Sequence, residues 1–164
     1  MQLQDDQILD SCRELWKTTL GLGLMPNEES GSDGEQAAFA SYVKVSGDFR
    51  GAIILECPAQ IARHAAAMLF ETDSETIPED EMQDAVEELT RIVGKGIQKQ
   101  FFDPGKVSAP KPLRHDDATS PVCAMEERCN LHLFSEGLPI RIAILESSQT
   151  TAAAASEPSA STQT

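Results

Sequence analysis

The chain has 164 residues, a length that suits one domain, and its hydrophobic content of 40% is enough for a sizeable core. Its 27 acidic residues outnumber its 13 lysines and arginines, which gives a net charge of −14. This balance argues against nucleic acid and against an anionic membrane surface, because both are bound by clustered lysines and arginines. We therefore expect a protein partner whose surface is locally complementary.

The cysteines and the opening residues narrow the class further. Cys12, Cys57, Cys123 and Cys129 match neither a CxxC pair nor a metal-ligand ladder, so we interpret them as reduced, buried thiols and predict no metal site. The first residues lack the basic and apolar regions of a signal peptide, and no apolar run approaches the ~20 residues of a membrane span. The sequence predicts a cytoplasmic protein without a membrane partner.

The first predicted elements are a helix, a polar loop and a β-hairpin, at residues 5–22, 26–36 and 39–56. Apolar residues at three- and four-residue steps mark the helix. Both hairpin strands, 39–47 and 49–56, are rich in β-branched and aromatic residues, and the Gly47-Asp48 pair between them predicts a tight II′ turn. The second strand is apolar on both faces, which is typical of a central strand.

Two helices follow, at residues 58–70 and 77–102. Pro58 opens the first of them, at a position where its missing N–H does no harm. An acidic linker, residues 71–81, leads to the second, and within it Thr76 and Glu79 have the spacing of a capping box. The sequence Asp-Pro-Gly at 103–105 predicts a firm end to this long helix.

The remaining residues predict strands and a tail. Three prolines within residues 107–121 indicate irregular or edge-strand structure. Three further strands are expected at residues 122–126, 129–134 and 139–145, with a turn at 135–138. We expect one domain at residues 1–146, and a disordered, low-complexity tail at residues 147–164. The element order predicts an α+β fold, in which a long helix and two shorter helices pack on a mostly antiparallel sheet.

Several common active sites are missing from the sequence. It contains neither of the glycine-rich nucleotide-binding motifs, no HExxH zinc motif and no GxSxG nucleophile motif. An enzyme built from this chain would have to use carboxylates, amides or guanidinium groups. The long helix is the place where such groups are concentrated.

The long helix has two distinct faces. Its apolar arc, which should face the core, contains Met82, Ala85, Val86, Leu89, Ile92, Val93, Gly96 and Ile97. A second set of residues, here called the polar stripe, consists of Glu81, Asp84, Glu88, Arg91 and Lys95. Glu87 precedes Arg91 by four residues, in the order that favours an ion pair. These features fit a solvated face, and they fit a docking surface equally well.

Two glycines distinguish this helix from an ordinary amphipathic one. Each costs roughly 1 kcal/mol relative to alanine in a helix interior. Gly96 lies on the apolar arc, where it could admit a neighbouring helix. Gly94 is expected on the polar side, where it would let another surface approach the backbone. We therefore include Gly94 among the candidate docking residues.

The segments GDFRGAIIL, the alanine-rich helix, DAVEELTRIVGKG and SAPKPL together resemble the CheX branch of the CheC/CheX/FliY chemotaxis phosphatase family. The family pattern has a hairpin with a glycine in its second strand, here Gly51, and a long helix bearing an E-L-x-N motif. A proline-containing segment follows that helix, here at residues 108–113. The resemblance covers most of residues 5–146 and implies the family's fold.

The resemblance also implies a function. In that family the long helix docks into the active site of a phosphorylated CheY-type response regulator. The motif glutamate engages a lysine of the regulator, and the motif asparagine aims a water at the aspartyl phosphate. Carried over to this chain, the glutamate is Glu88 and the asparagine position is Arg91. The chain would need no cofactor of its own, because the regulator holds the Mg²⁺, and the resemblance implies a homodimer.

Three interpretations remain open from the sequence. The first is an aspartyl-phosphate phosphatase whose catalytic residues are Glu88 and Arg91. The second is a non-catalytic module, a dimerising scaffold that binds its partner through the same helix. The third is a solvated helix face with no partner. For the first two, the partner-binding residues are Glu81, Asp84, Glu87, Gly94 and Lys95.

Overall fold

The computed structural model describes residues 4–26, 39–71, 76–113 and 121–147. These residues form three α-helices, at α1 (Asp5–Leu20), α2 (Ala59–Phe70) and α3 (Glu79–Phe101). They also form seven strands, at β1 (Met25–Pro26), β2 (Phe39–Gly47), β3 (Gly51–Cys57), β4 (Gly105–Val107), β5 (Lys111–Pro112), β6 (Glu126–Ser135) and β7 (Leu138–Glu146).

The strands make one antiparallel sheet in the order β1-β6-β7-β3-β2-β4, and β5 also pairs with β2. All three helices pack on one face of this sheet, over buried residues that alternate along the strands: Val43, Val45, Ile53, Leu55, Leu131, Leu133, Ile140, Ile142 and Ile144. The prediction of an α+β domain with one long and two shorter helices is confirmed. Strand β3 is buried along its whole length and lies between β2 and β7, as its apolar sequence indicates.

The helices begin and end close to the predicted residues. Helix α1 ends at Gly21, which takes the left-handed conformation at φ 72° and donates its N–H to the Lys17 carbonyl. Helix α3 has Pro78 at its N-cap with no side-chain hydrogen bond, so the predicted capping box of Thr76 and Glu79 is wrong. The cap is Pro78 and not Thr76. A capping box needs a backbone N–H at the cap residue as a donor to the glutamate side chain, and proline has none.

Two connections differ from their predicted form. Gly47 does not begin a two-residue turn: β2 continues through Ser46 and Gly47, which pair with Lys106 and Gly105 of β4. The last β2–β3 pair is Val45 with Gly51, so a longer connection joins the two strands. The β6–β7 turn is as expected, with positive φ at both Glu136 and Gly137.

The segment before β6 is the other difference. The predicted strand at 122–126 is wrong in its first part, where Pro121–Ala124 forms a 3-10 helix. Its Val122 packs against the second face of the sheet, together with Tyr42, Ala52, Ile54, Ala143 and Leu145. Both sheet faces are therefore partly covered, which is why β3 and β7 are apolar on both sides.

Close packing explains the glycine in the second hairpin strand. A Cβ added at Gly51 would lie 1.9 Å from the carbonyl oxygen of Leu145 on β7, so no side chain fits there. Trp16 fixes α1 to the other end of the sheet: its Nε1 donates to Ser135 Oγ at 2.9 Å, and Ser135 donates to the Gly23 carbonyl at 2.9 Å. The buried Trp16 is thus satisfied within the fold.

The prediction of buried thiols is confirmed for Cys12, Cys57 and Cys129, which are free and buried. Burial raises the pKa of each of these thiols to about 12, so they stay neutral at ordinary pH. The side chain of Cys123 lies outside the described residues, as do residues 27–38 and 148–164, which include most of the predicted loop and the predicted tail.

Candidate functional site

Helix α3 is held from two sides, and this fixes which of its residues face outward. It packs against α1 and α2 on one side and against β2 and β4 on the other. Its buried side chains therefore span a wide arc, which consists of Met82, Ala85, Val86, Leu89, Thr90, Val93, Gly94, Ile97 and Gln98. The remaining narrow arc carries the polar stripe.

Gly94 belongs to the buried arc, so the expectation that it lies on the exposed polar side is wrong. A Cβ at Gly94 would lie 2.6 Å from Cγ2 of Val43 on β2. The glycine allows the helix backbone to approach this strand closely, and a partner could not use it as a contact point. The expectation for Gly96 is confirmed, because its Cβ would lie 2.5 Å from Cδ1 of Leu15 on α1.

The residues of the polar stripe share one exposed side of α3. Asp84 and Lys95 are exposed, and Glu81 is half-buried near the start of the helix. Glu88 and Arg91 lie between them, with side chains 35% and 36% exposed. Among the described residues, neither Asp84 nor Lys95 forms an ion pair. The structure therefore brings all five stripe residues onto one continuous surface.

Glu88 and Arg91 form a bidentate ion pair at the centre of the stripe. Nε of Arg91 donates to Oε1 of Glu88 at 3.0 Å, and Nη2 of Arg91 donates to Oε2 of the same carboxylate. The hydrogen bond that Arg91 donates to Glu88 raises the pKa of Arg91, desolvation lowers it, and the negative charge of Glu88 raises it further, so the pKa is higher than usual. Both carboxylate oxygens of Glu88 are thus already engaged within the chain.

The four-residue spacing predicted an ion pair between Glu87 and Arg91, but the two side chains do not pair in the structure. Glu87 accepts a hydrogen bond at 3.1 Å from Nε2 of Gln83, which also donates to the Ala40 carbonyl of β2. This places Glu87 on the flank of α3 that turns toward the sheet edge. Arg91 pairs instead with Glu88, three residues before it, a spacing that also brings side chains together on a helix.

The position that the resemblance assigns to an asparagine has no substitute amide nearby. Helix α3 is described in full, and none of its glutamines belongs to the polar stripe. Gln83 is bonded to Glu87 and Ala40, and Gln98 is buried and donates to the Phe102 carbonyl at 3.4 Å. The stripe can therefore offer three carboxylates, one guanidinium group and one ammonium group, and no side chain in it is an amide.

One stripe neighbour was not among the predicted residues. Lys99 is exposed and lies four residues after Lys95, so it extends the positively charged end of the stripe by one turn. The helical spacing could have identified it. With Lys99, the C-terminal half of the outer face carries three cations against the single charge of Glu88, and the N-terminal half is acidic.

A second arginine, Arg141, provides a contrast because each of its three nitrogens is hydrogen-bonded within the fold. Arg141 lies on the sheet face opposite the helices, where it donates from Nη1 to Glu56 at 2.9 Å and from Nη2 to Glu127 at 3.1 Å. Its Nε donates to Asn130 at 2.8 Å. All three nitrogens of Arg141 are used within the fold, whereas the described residues engage only two nitrogens of Arg91.

Within residues 4–26, 39–71, 76–113 and 121–147, no three His, Cys, Asp or Glu side chains are grouped so as to hold a metal ion. In that same part of the chain, none of the helices combines the length and apolar character of a membrane span.

The comparison with known families bears directly on this helix. The model of the family described as chemotaxis phosphatase CheX matches residues 39–133, which is more than half of the chain and includes α3. None of the curated proteins matches this sequence.

Solved structures show the same fold. CheX from Vibrio vulnificus is 18% identical with a TM-score of 0.62, and the match covers 85% of this chain and 93% of that one. A CheC-like superfamily protein from Shewanella sp. PV-4 is 16% identical with a TM-score of 0.61, covering 85% and 94% of the two chains.

A third structure contains a partner. It is the CheX–CheY–BeF3–Mg²⁺ complex from Borrelia burgdorferi, 14% identical with a TM-score of 0.61, and the match covers 87% of this chain and 96% of that one. At these identities the likeness shows a shared fold. The family match and the element order that it spans lead to one conclusion: the chain belongs to the CheX chemotaxis phosphatase family.

Proposed function

We propose that this chain docks the polar stripe of α3 on a phosphorylated CheY-type response regulator. The observation that carries the proposal is the half-buried Glu88–Arg91 pair, which occupies the two family motif positions on the outer side of a helix packed against the core. A relative of the same fold has been solved together with CheY, BeF3 and Mg²⁺, which supports a receiver-type partner. A charged, rigid face is also the kind of surface that gives orientation and specificity in a complex.

The stripe residues would have different roles in this complex. Glu81 and Asp84 form its acidic end, Lys95 its basic end, and Glu87 lies on the flank. Glu88 would engage a lysine of the regulator, as the family resemblance implies. This requires the regulator's lysine to share or displace Arg91, because both oxygens of Glu88 accept from that arginine. Mg²⁺ would be supplied by the regulator.

Hydrolysis of the aspartyl phosphate is the finer question. An asparagine amide can hold an attacking water because it both donates and accepts hydrogen bonds. Arginine only donates, so Arg91 can offset phosphoryl charge but cannot accept a hydrogen bond from the water. The composition of the stripe favours a docking module over a phosphatase. In the phosphatase alternative, a group of the regulator would orient the water while Arg91 stabilises the phosphoryl charge.

The same proposal extends to the state of the protein in the cell. We infer a homodimer in the cytoplasm, an inference that the family resemblance supports and that can be measured directly. Light scattering behind a sizing column would give twice the 17.8 kDa mass of the chain for a dimer. A single-chain mass at micromolar concentration would contradict this part of the proposal.

The experiment combines binding with the lifetime of the acyl phosphate. A regulator phosphorylated by a small phosphodonor is mixed with the wild-type chain, with Glu88→Ala and with the control Glu14→Ala, which changes an exposed glutamate of α1. Binding without faster dephosphorylation supports the docking module. Faster dephosphorylation that Glu88→Ala abolishes supports the phosphatase. If several phosphorylated regulators show no binding and no faster dephosphorylation, the proposed function is contradicted.

A further inference from the structure

The hydrogen-bond donors of Arg91 are only partly used. A guanidinium group has five N–H donors, and Glu88 takes one from Nε and one from Nη2. Among the described residues no other acceptor bonds to Arg91, so both N–H groups of Nη1 and one of Nη2 remain. One N–H of Nη1 and one of Nη2 point side by side along the edge that Glu88 does not cover, and the other N–H of Nη1 lies on the side of Cδ. Two parallel N–H groups on one edge match the oxygens of a phosphoryl group.

Glu88 fixes the orientation of that edge. A free arginine on a helix surface samples many rotamers and loses this freedom on binding an anion. The bidentate contact with Glu88 already restricts the rotamers of Arg91, and the Arg91 side chain is still 36% exposed. The ion pair therefore presents the guanidinium group to a partner in one orientation, and its own contribution to stability is modest because it is exposed to solvent.

The surrounding charge favours an anion at this end of α3. Lys95 and Lys99 are exposed, and in the described part of the chain neither has an ion-pair partner. With Glu88 neutralised by Arg91, this half of the outer face is locally positive on a chain whose net charge is −14. The acidic end at Glu81 and Asp84 would disfavour the same anion. The charge distribution thus defines one end of the stripe for a phosphoryl dianion.

We propose that Arg91 reads the phosphoryl group itself, so that the chain binds the phosphorylated regulator selectively and leaves the acyl phosphate intact. This inference rests on the proposed docking function and goes one step further. Selectivity comes from the free edge of Arg91. Sparing of the phosphate follows because the stripe contains no amide, and because both oxygens of Glu88, the acceptor beside Arg91, already accept from Arg91. The chain would then act as a phosphorylation-dependent binding module.

The test compares two forms of one regulator. The regulator is titrated with the wild-type chain in Mg²⁺ alone and in Mg²⁺ with BeF3⁻, which imitates the acyl phosphate. We expect the BeF3⁻ form to bind about tenfold more tightly or better, as for a charge-assisted hydrogen-bonded contact. Arg91→Gln should bring the two affinities together. The control Arg128→Gln should keep the difference, because Arg128 lies on β6 and pairs with Glu146.

The outcomes separate this inference from the docking proposal. Equal affinity for the two forms, or an unchanged difference in Arg91→Gln, overturns the inference and leaves docking in place. A shorter lifetime of the acyl phosphate in the wild-type complex also overturns it, because the phosphate would not be spared. A lifetime that is equal or longer, together with selective binding, supports it. If the chain binds neither the Mg²⁺ form nor the BeF3⁻ form of the regulator, the docking proposal itself is contradicted.

Discussion

The inner and outer faces of α3 are shaped by different interactions. The inner face fits its surroundings to within a methyl group, since Gly94 lies against Val43 and Gly96 lies against Leu15. The outer face carries one ion pair, between Glu88 and Arg91, and several charges that are not ion-paired within the described residues, of which Asp84, Lys95 and Lys99 are exposed. Packing therefore determines where the helix sits, while the outer charges can change without moving it. Such an arrangement separates stability from recognition along one helix.

The largest effect is expected on the inner face. Gly94→Ala should lower the free energy of unfolding by about 1–2 kcal/mol, although alanine gains about 1 kcal/mol in helix propensity. The new Cβ would meet a branched methyl of buried Val43 that has no room to move. Denaturant unfolding followed by circular dichroism measures the change.

Gly96→Ala is the matched control for this substitution. Its Cβ would meet the flexible end of Leu15, which is only half-buried and can rotate away. We expect a neutral effect or a gain of up to about 1 kcal/mol from helix propensity. Equal losses for the two variants would mean that the inner face is not packed against β2 as tightly as the structure shows.

The next effect belongs to the outer face. Arg91→Asn restores an amide at the motif position and removes the guanidinium from Glu88, so we expect dephosphorylation of the regulator to become about tenfold faster than with the wild-type chain. Decay of the phosphorylated regulator gives the rate, with Arg91→Ala as a control for simple loss of the charge. If Arg91→Asn and the wild type give the same decay, the stripe lacks more than one catalytic group.

The core beneath the inner face can be tested through Cys57. Burial raises the pKa of this thiol from 9.0 to about 12, so above pH 9 the unfolded chain ionises its thiol while the folded chain keeps its proton. The unfolded state then binds fewer protons, and stability falls as the pH rises from about 9 toward 12. We expect the stability difference between the wild type and Cys57→Ala to shrink by about 1 kcal/mol between pH 8 and pH 10. A difference that stays constant over this range would show that the thiol is accessible to water.

The smallest effect is expected from the ion pair itself. Arg91→Ala should change the free energy of unfolding by no more than about 0.5 kcal/mol, because the pair is exposed and three residues apart on one helix. Thermal unfolding of this variant at low and high salt should give nearly the same midpoint as the wild type. A loss of 2 kcal/mol or more would give Arg91 a structural role like that of Arg141, and would weaken the separation between the two faces.

Periodicity and turn chemistry were sufficient to predict most of the fold. The apolar spacing in α1, α2 and α3 and the β-branched runs in β2, β3 and β7 are local signals, and each led to the correct element. The errors came from contacts that a sequence pattern does not contain. β2 extends through Gly47 because β4, from a distant part of the chain, pairs with it. Residues Pro121–Ala124 form a 3-10 helix, and Val122 within it packs on the second face of the sheet.

The site shows the same limit. The polar stripe follows from helical spacing, and so did its exposed position. Gly94 was misplaced because a helical wheel assumes one buried side, whereas α3 is packed both by helices and by β2. The partner of Arg91 was also misassigned, because Glu87 and Glu88 are both at a favourable spacing from it. In the structure Gln83 donates to Glu87 and to the Ala40 carbonyl of β2, and Arg91 pairs with Glu88. Arrangement in three dimensions decided between alternatives that the sequence left equal.

The central claim is that the polar stripe of α3 contacts the regulator, and a charge exchange tests it most directly. The double variant Asp84→Lys with Lys95→Asp keeps the net charge and the Glu88–Arg91 pair, and it reverses the two ends of the stripe. We expect the fold to be retained and the affinity for the Mg²⁺·BeF3⁻ regulator to fall by about tenfold or more, because complementary charges become like charges. Undiminished affinity of this folded double variant would contradict the account.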